Sequence, residues 1–229
     1  MKKGVSIIII TNGGKPDKTV NLINSINSAF LKVPELDYQI IVSGMFNSLP
    51  KYNSVLYVDK TLAANNGMLG EMRNAGADHA KYDVLVFCDD DLYFDSNWAL
   101  NFKKYSENNE FDILGTQIRL FDGSRCWDRA TINPHQMIDY DCKLYRGMLY
   151  QTGAYWIIKK IVWEKEKWDP TIPFYATDKG FPMNEDVEYS LRLQKAGYKI
   201  SFDKNNIVYH DDDTYIQVDN LCIKKNLLK

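Results

Sequence analysis

The sequence predicts an α/β protein, a mostly parallel central sheet flanked by helices, with a smaller mixed subregion towards its C-terminal end. Three observations predict it. Apolar, β-branched runs alternate with segments of helical periodicity through the first half of the chain, the order that builds parallel strand-helix-strand units. One of those runs, Val84 to Phe87, empties directly into Asp89-Asp90-Asp91, as a strand buried on both faces does when it reaches the ligand-binding edge of an open sheet. From Asp112 onward the pattern becomes irregular, polar and aromatic.

Val5 to Ile10 is an all-apolar run suited to a buried strand, ended by Thr11-Asn12-Gly13-Gly14. Asp17 is placed to cap a helix whose Val20, Ile23, Ile26 and Phe30 recur at helical spacing. Tyr38 to Val42 reads as a second buried strand stopped by Ser43-Gly44, and Val55 to Val58 as a short third. Gly67 to Ala80 carries Met68, Leu69, Met72, Ala75 and Ala77 at helix-compatible positions, although Gly70 and Gly76 lower its intrinsic propensity. After the strand at Val84 to Phe87, Ser96 is expected to cap a helix bearing Trp98, Leu100, Phe102 and Tyr105. No Gly-x-Gly-x-x-Gly follows the first strand and no Lys-Ser/Thr phosphate loop occurs, which disfavours nicotinamide-binding and P-loop readings of the same fold class.

In the second half, Asp112 to Leu120 and Ala154 to Ile158 read as strands, the latter preceded by Gln151-Thr152-Gly153, with an irregular region from Asp122 to Met148 between them. Trp163, Trp168, Pro170, Pro173 and Phe174 mark a loop-rich stretch. Asn184-Glu185-Asp186 opens a helix with Val187 and Leu191 on one side and Tyr189, Leu193 and Ala196 on another, ended by Gly197. Tyr198 to Phe202 and Ile207 to Tyr209 are expected as two short strands, the second running into His210-Asp211-Asp212-Asp213, and the tail from Leu221 to Lys229 is expected to fray. With no internal repeat and no low-complexity linker, residues 1–229 read as one domain, with halves at about 1–110 and about 111–229.

A chain of 229 residues with 45% hydrophobic and 25% charged content has the composition of an ordinary globular protein, and its net charge of −2 provides no general attraction to nucleic acid or anionic lipid. No apolar run approaches the roughly 20 residues needed to span a bilayer. The apolar run after Met1-Lys2-Lys3-Gly4 is too short for a signal-peptide core. A cytoplasmic location is therefore expected, with peripheral contact at an inner membrane face as the remaining membrane option. Cys88, Cys126, Cys142 and Cys222 form no Cys-x-x-Cys pair, which argues against zinc and against disulfides. Five Trp and 15 Tyr fall largely between Trp127 and Tyr215. A stacking surface for a ring-shaped ligand and plain core packing account for them equally well.

The chemistry-bearing residues form three groups. Asp89, Asp90 and Asp91 are the side chains least compatible with burial unless something cationic meets them, and oxygen ligation suits Mg²⁺ or Mn²⁺; a solvated acidic turn is the plainer alternative. Glu185 and Asp186 sit at a helix N-terminus, where favourable dipole interaction of about 0.3–1 kcal/mol would explain them without catalysis. His210 could simply be a hydrogen-bonded strand-end histidine. Together, a cation held by Asp91 and an imidazole, with a separate carboxylate nearby, is what metal-assisted group transfer to a hydroxyl requires.

The order of motifs resembles that of GT-A-fold glycosyltransferases, close to the family 2 type, from Val5 to about Tyr215. The resemblance rests on Val-Ser-Ile-Ile-Ile-Ile-Thr in the first strand, Gly67-Met-Leu-Gly-Glu-Met-Arg73-Asn74-Ala-Gly, the Asp-x-Asp motif as Asp89-Asp90-Asp91, Thr152-Gly153-Ala154 before a strand, Asn-Glu185-Asp186-Val-Glu-Tyr-Ser-Leu-Arg-Leu, and Gly197-Tyr198-Lys199-Ile200 followed by His210. It implies a GT-A, Rossmann-like sheet, a nucleotide-sugar donor with UDP foremost, and Mn²⁺ or Mg²⁺ bound by Asp91 with Asp89 and with His210, which would be a further ligand or would contact the diphosphate. Asp89 would also meet the ribose or orient the donor. Thr11 and Arg73 would lie along the nucleotide pocket, with Lys60 a weaker candidate. Asn12, Gly44, Gly70, Asn74, Asp90, Thr152 and Gly153 would complete the donor side. Asp186 would be the general base, with Glu185 beside it, acting on a hydroxyl of a glycan, a lipid-linked glycan or another acceptor, with inversion at the anomeric carbon. A retaining GT-A enzyme is the alternative; a nucleotidyltransferase and a non-catalytic glycan-binding module rank lower, the former for want of a Gly-rich, basic loop after the first strand. The chain departs from the family in carrying Ser43-Gly44 where an acidic pair often contacts the base, which leaves the nucleotide open. Asp211-Asp212-Asp213 is read as a solvated run.

Overall fold

The structure is a computed structural model; it describes residues 4–132, 136–139 and 149–211, with the backbone of 215–218 and 221–224. It opens with β1 (Val5–Thr11), whose seven residues are all buried. Alternate side chains of such a strand point to opposite faces. Val5, Ile7 and Ile9 accordingly pack with Leu22, Ile23 and Ile26 of α1 (Pro16–Phe30), while Ile8 packs on the other face with Ala77. Ala77 belongs to α3 (Leu69–Asp78), which follows β2 (Tyr38–Gly44), β3 (Val55–Asp59) and the short α2 (Thr61–Asn65). The central strand is thus sandwiched between two helical layers, which is why it carries no alternation of polar residues.

β4 (Val84–Asp89) pairs parallel to β1 and turns at once into the three-residue β5 (Leu92–Phe94). α4 (Trp98–Asn108), β6 (Ile113–Arg119), β7 (Arg129–Thr131), β8 (Gln136–Met137), β9 (Leu149–Gln151) and β10 (Tyr155–Lys159) follow. The chain continues through α5 (Lys160–Lys165), a 3-10 turn (Ala176–Lys179), α6 (Glu185–Lys195), β11 (Ile200–His210), β12 (Tyr215–Val218) and β13 (Leu221–Lys224). The main sheet has the order β3-β2-β1-β4-β10-β6-β11-β5; β8-β7-β9 and β12-β13 form two small sheets. Parallel pairing holds across β3, β2, β1 and β4 and between β6 and β11, whereas β10 is antiparallel to both β4 and β6 and β5 is antiparallel to β11. The register sets Thr11 opposite Gly44 and Ile10 opposite Asp89, so the carboxyl ends of three strands finish in one row.

Several expectations change. The helix read over Gly67–Ala80 begins only at Leu69, because Gly67 takes a left-handed φ of 66° and separates α2 from α3. Neither Asp17 nor Ser96 caps a helix: α1 starts from Lys15 with Pro16 at its first position, and α4 starts from Asn97. Ser96 instead accepts a hydrogen bond from Lys32 Nζ at 3.0 Å. The two short strands expected over 198–209 are one strand, β11, irregular between Asp203 and Ile207 where Asp203 and Asn206 side chains accept backbone N–H groups. The stretch read as loop after Trp163 includes the end of α5 and the 3-10 turn, and the irregular region from 122 contributes β7 and β8. Part of the tail, Leu221–Lys224, pairs with β12 rather than fraying; Asp212, Asp213 and Cys142 lie outside the described residues.

Most of the tryptophans resolve towards packing. Trp98, Trp156, Trp163 and Trp168 are at most 2% exposed, and Trp168 stacks on Tyr189 with ring centroids 4.0 Å apart while meeting Trp156 edge-on at 5.2 Å, contacts of about 0.5–1.5 kcal/mol each beyond area burial. Among the described residues no helix is long and apolar enough to cross a membrane.

Close packing of α3 on β1 yields a first prediction. A Cβ added to Gly76 would lie 2.4 Å from Ile8 Cγ2, on a side chain that is fully buried and branched. Gly76→Ala should therefore destabilise by about 1–3 kcal/mol, despite the roughly 1 kcal/mol gain in helix propensity, visible as a lower urea midpoint at unchanged m.

Candidate active site

The row of strand ends organises the site. Asp89 closes β4, its backbone N–H bonded to the Ala154 carbonyl at 3.0 Å. Asp90 and Asp91 form the connection to β5. Thr11, ending β1, donates its hydroxyl hydrogen to Asp90 Oδ2 at 2.5 Å and accepts the Gly13 N–H at 3.0 Å. Asp91 is held from two sides: its Oδ2 lies 2.6 Å from Lys15 Nζ and its Oδ1 3.3 Å from His210 Nε2. His210 reaches it because β11 pairs with β5, His210 opposite Leu92, and because the Asp211 N–H bonds the Asp91 carbonyl at 2.7 Å.

Burial separates the three carboxylates electrically. It pushes Asp89 up to about 7 against the pull of Arg73, and Asp90 up to about 6 against the Thr11 hydrogen bond. Burial acts upward on Asp91 too, but His210 and Lys15 outweigh it and hold that carboxyl well below the usual range.

The second wall is the N-terminus of α6. Asp186 Oδ2 accepts the Gly153 N–H at 3.0 Å and Oδ1 accepts the Val187 N–H at 2.8 Å, so backbone from two elements orients one partly exposed carboxyl. Burial and the neighbouring Glu185 push Asp186 up to about 7, close to where a general base works best at neutral pH. Glu185 points inward and is buried.

Arg73 joins the walls. Only 1% exposed, it reaches Glu185 Oε1 at 3.2 Å, the Gly153 carbonyl at 2.9 Å and Asp89 Oδ1 at 3.5 Å, with its guanidinium 4.4 Å over the Trp168 ring. One planar cation therefore fixes the Asp89 strand end, the Thr152-Gly153 turn and the start of α6 relative to each other.

Donor atoms suited to a hard divalent cation are present. Asp91 Oδ1 and His210 Nε2 converge, and Asp89 Oδ1 is buried with no hydrogen-bond partner, so the residue types fit Mg²⁺ or Mn²⁺. Among the described residues, however, no group of three or more His, Cys, Asp or Glu side chains is arranged to hold a metal ion.

Residues 58–165, just under half of the chain, match the model described as Glycosyl transferase family 2. A crystal structure of S. aureus TarS 1-349 superposes with a TM-score of 0.61 over 90% of this chain and 60% of that one. The chain is GT-A in fold and family 2-like. A second S. aureus TarS crystal structure gives the same TM-score over 91% of this chain and 37% of that one. Identities are 13% and 14%, so the likeness is one of fold, and this chain spans less than two thirds of either neighbour. No curated protein matches the sequence.

Within this family 2-like chain the expected residues separate into two sets. Thr11, Asp89, Asp90, Asp91, Arg73, Gly153, Glu185, Asp186 and His210 are linked by the contacts above. Gly44 joins them through backbone geometry: its φ is +133°, and a Cβ there would lie 2.0 Å from the Thr11 carbonyl oxygen. The others are engaged elsewhere. Asn74 bonds the Trp168 carbonyl and accepts from the Trp163 ring N–H and the Trp168 N–H. Gly70 lies against the Asp169 backbone, Lys60 pairs with Glu71 at 3.1 Å, Thr152 donates to the Trp127 carbonyl, and Asn12 accepts the Gly14 N–H. Arg73, 1% exposed, is enclosed by Glu185, the Gly153 carbonyl and Asp89. Lys15 and Lys18 are additions to the expected site; with Gly13 and Gly14 they make the segment after β1 both glycine-bearing and basic, which corrects the expectation that such a loop is wanting there.

Proposed function

We propose that the chain transfers a glycosyl group from a nucleoside-diphosphate sugar to an acceptor hydroxyl, with inversion and with Asp186 as general base. The observation that carries this is Asp186 itself: a partly exposed carboxyl oriented by Gly153 and Val187, raised to about 7, and tied through Glu185 and Arg73 to the Asp89 strand end. In the reaction the acceptor O–H gives its proton to Asp186 as its oxygen bonds to the anomeric carbon. The bond from that carbon to the phosphate oxygen breaks on the opposite face, and its electron pair leaves with the nucleoside diphosphate. Asp91 and His210 would hold a Mg²⁺ or Mn²⁺ ion, whose charge offsets that of the leaving diphosphate. Thr11 orients Asp90, and Arg73 ties Glu185 to the Asp89 strand end. UDP is the first donor nucleotide to test. Calorimetric binding and donor hydrolysis over UDP-, GDP- and dTDP-sugars with Mn²⁺ test the reading, and absence of binding and turnover with every donor would overturn it.

The same carboxyl sets a pH dependence. As a base it must be ionised, so the hydrolysis rate should fall about tenfold per unit below pH 7. For stability the sign is opposite. A folded-state value raised from 3.8 to about 7 means the protonated form favours the fold. That stabilisation is fully present below pH 4 and is lost as pH rises through about 7. Thermal melts between pH 5 and 8 should show it together with the same-signed contributions of Asp89 and Asp90, and Asp186→Asn should reduce the slope without abolishing it.

A further inference from the structure

We propose that Lys15 is a nucleoside-diphosphate-binding residue, its ammonium parked on Asp91 until the donor arrives, and that through it this chain binds a nucleoside diphosphate without a divalent cation. The inference rests on the donor reading above and assigns part of the diphosphate's recognition to a residue that reading leaves unused.

The pairing of Lys15 with Asp91 is short, 2.6 Å, and asymmetric in exposure: the lysine side chain is 45% exposed and the aspartate 7%. The ammonium therefore closes the acidic edge from its solvent side, where an entering anion meets it first. Lys15 occupies the N-cap position of the 15-residue α1 but makes no capping hydrogen bond with its side chain. An ammonium has no acceptor with which to cap helix N–H groups, and that of Lys15 pairs with Asp91. The helix terminus adds positive potential at the same point. One turn on, Lys18 lies on the same helix face, reaching the Asp211 carbonyl and lying 3.3 Å from its Oδ1. The first turn of α1 thus places two lysines against the ends of β4 and β11.

A single carboxylate and a diphosphate are unequal partners for an ammonium. The diphosphate carries more charge and more acceptor oxygens, and lysine is a point charge on a flexible four-carbon stem that can follow it. Asp91 then becomes the carboxylate released for a cation. The same geometry makes Lys15 and a divalent ion competitors for Asp91 Oδ2 before the donor binds, and partners on the diphosphate afterwards. It also explains how three adjacent aspartates stand at one strand edge with their charge already met from within the chain, by Lys15 on Asp91 and Arg73 beside Asp89.

The experiment uses the full chain and measures binding, not turnover. UDP, GDP, dTDP, CDP and ADP are titrated calorimetrically in EDTA and in Mn²⁺, and Mn²⁺ alone is titrated by electron paramagnetic resonance. Wild type is expected to bind at least one diphosphate in EDTA. Lys15→Gln should weaken that binding about ten- to hundredfold, the range for a hydrogen bond to a charged group, and bind Mn²⁺ alone several-fold more tightly. Lys15→Arg, which keeps the charge, should stay within several-fold of wild type in EDTA, and circular dichroism shows whether each variant is folded. Equal affinities of wild type and Lys15→Gln in EDTA, or wild-type binding only in Mn²⁺, overturn the role of Lys15 and leave the donor reading intact. No binding of any diphosphate by the wild type in either medium overturns both, with the donor reading at fault.

Discussion

Replacing Arg73 with alanine should lower the unfolding free energy by about 3–5 kcal/mol, the range for removing one partner of a buried ion pair. The guanidinium is 1% exposed, and its loss strands Glu185, 6% exposed, together with Asp89 and the Gly153 carbonyl. It also removes the cation stacked on Trp168. Against a typical net stability of about 5–15 kcal/mol, that is enough to bring the domain close to unfolding at ambient temperature. Urea titration by fluorescence is the measurement: a large fall in midpoint at unchanged slope is expected. Arg73→Lys keeps the charge but not the planar fork and should fall between. Adding Glu185→Gln to Arg73→Ala should recover part of the loss, because it removes the stranded charge. A midpoint within about 0.5 kcal/mol of wild type would show that Arg73 is not the tie between the two walls.

Asp186→Asn should reduce donor turnover by about 10²- to 10⁴-fold, the usual worth of a positioned general base, while nucleotide binding stays within about twofold. The separation follows from position. Asp186 contacts Gly153 and Val187 at the start of α6, and none of its hydrogen bonds goes to the Asp89–Asp91 edge. Asparagine keeps one acceptor oxygen for these two N–H groups and turns an N–H towards the other, so a modest stability loss is also expected. Initial rates of nucleoside diphosphate release, set beside calorimetric binding of the donor nucleotide, decide it. Turnover retained in a variant that binds normally would remove Asp186 from the role of base.

Much of this arrangement is legible from one-dimensional signals. Unbroken apolar runs mark β1 and β4, because a strand covered on both faces has no solvent side on which to place polar residues. Asp89-Asp90-Asp91 after such a run locates the functional edge. Glu185-Asp186 at a helix start is equally readable. Errors cluster where a single local signal has several solutions. A glycine inside a helical pattern is compatible with a weak helix or a left-handed break, and at Gly67 the break prevails, with Phe174 N–H bonded to its carbonyl. Asp17 and Ser96 are good capping residues one or two positions away from where the helices start. The aromatic half has two equal explanations, and only contacts between distant residues, such as Trp168 on Tyr189, decide that most of the tryptophans build core.

By itself, then, the sequence determines the alternation of buried strands and helices, the acidic edge after β4, and the carboxylate pair opening α6. These are local properties: burial periodicity, charge and capping chemistry within a few residues. Only the tertiary structure decides that β10 inserts antiparallel between β4 and β6, that Arg73 is a sealed bridge between the two acidic walls, and that Lys15 and His210 meet on Asp91. Each depends on partners distant in the sequence, Lys15 and Asp91 being 76 positions apart and Arg73 and Glu185 112. Their meeting is set by sheet order and register, which no local pattern encodes.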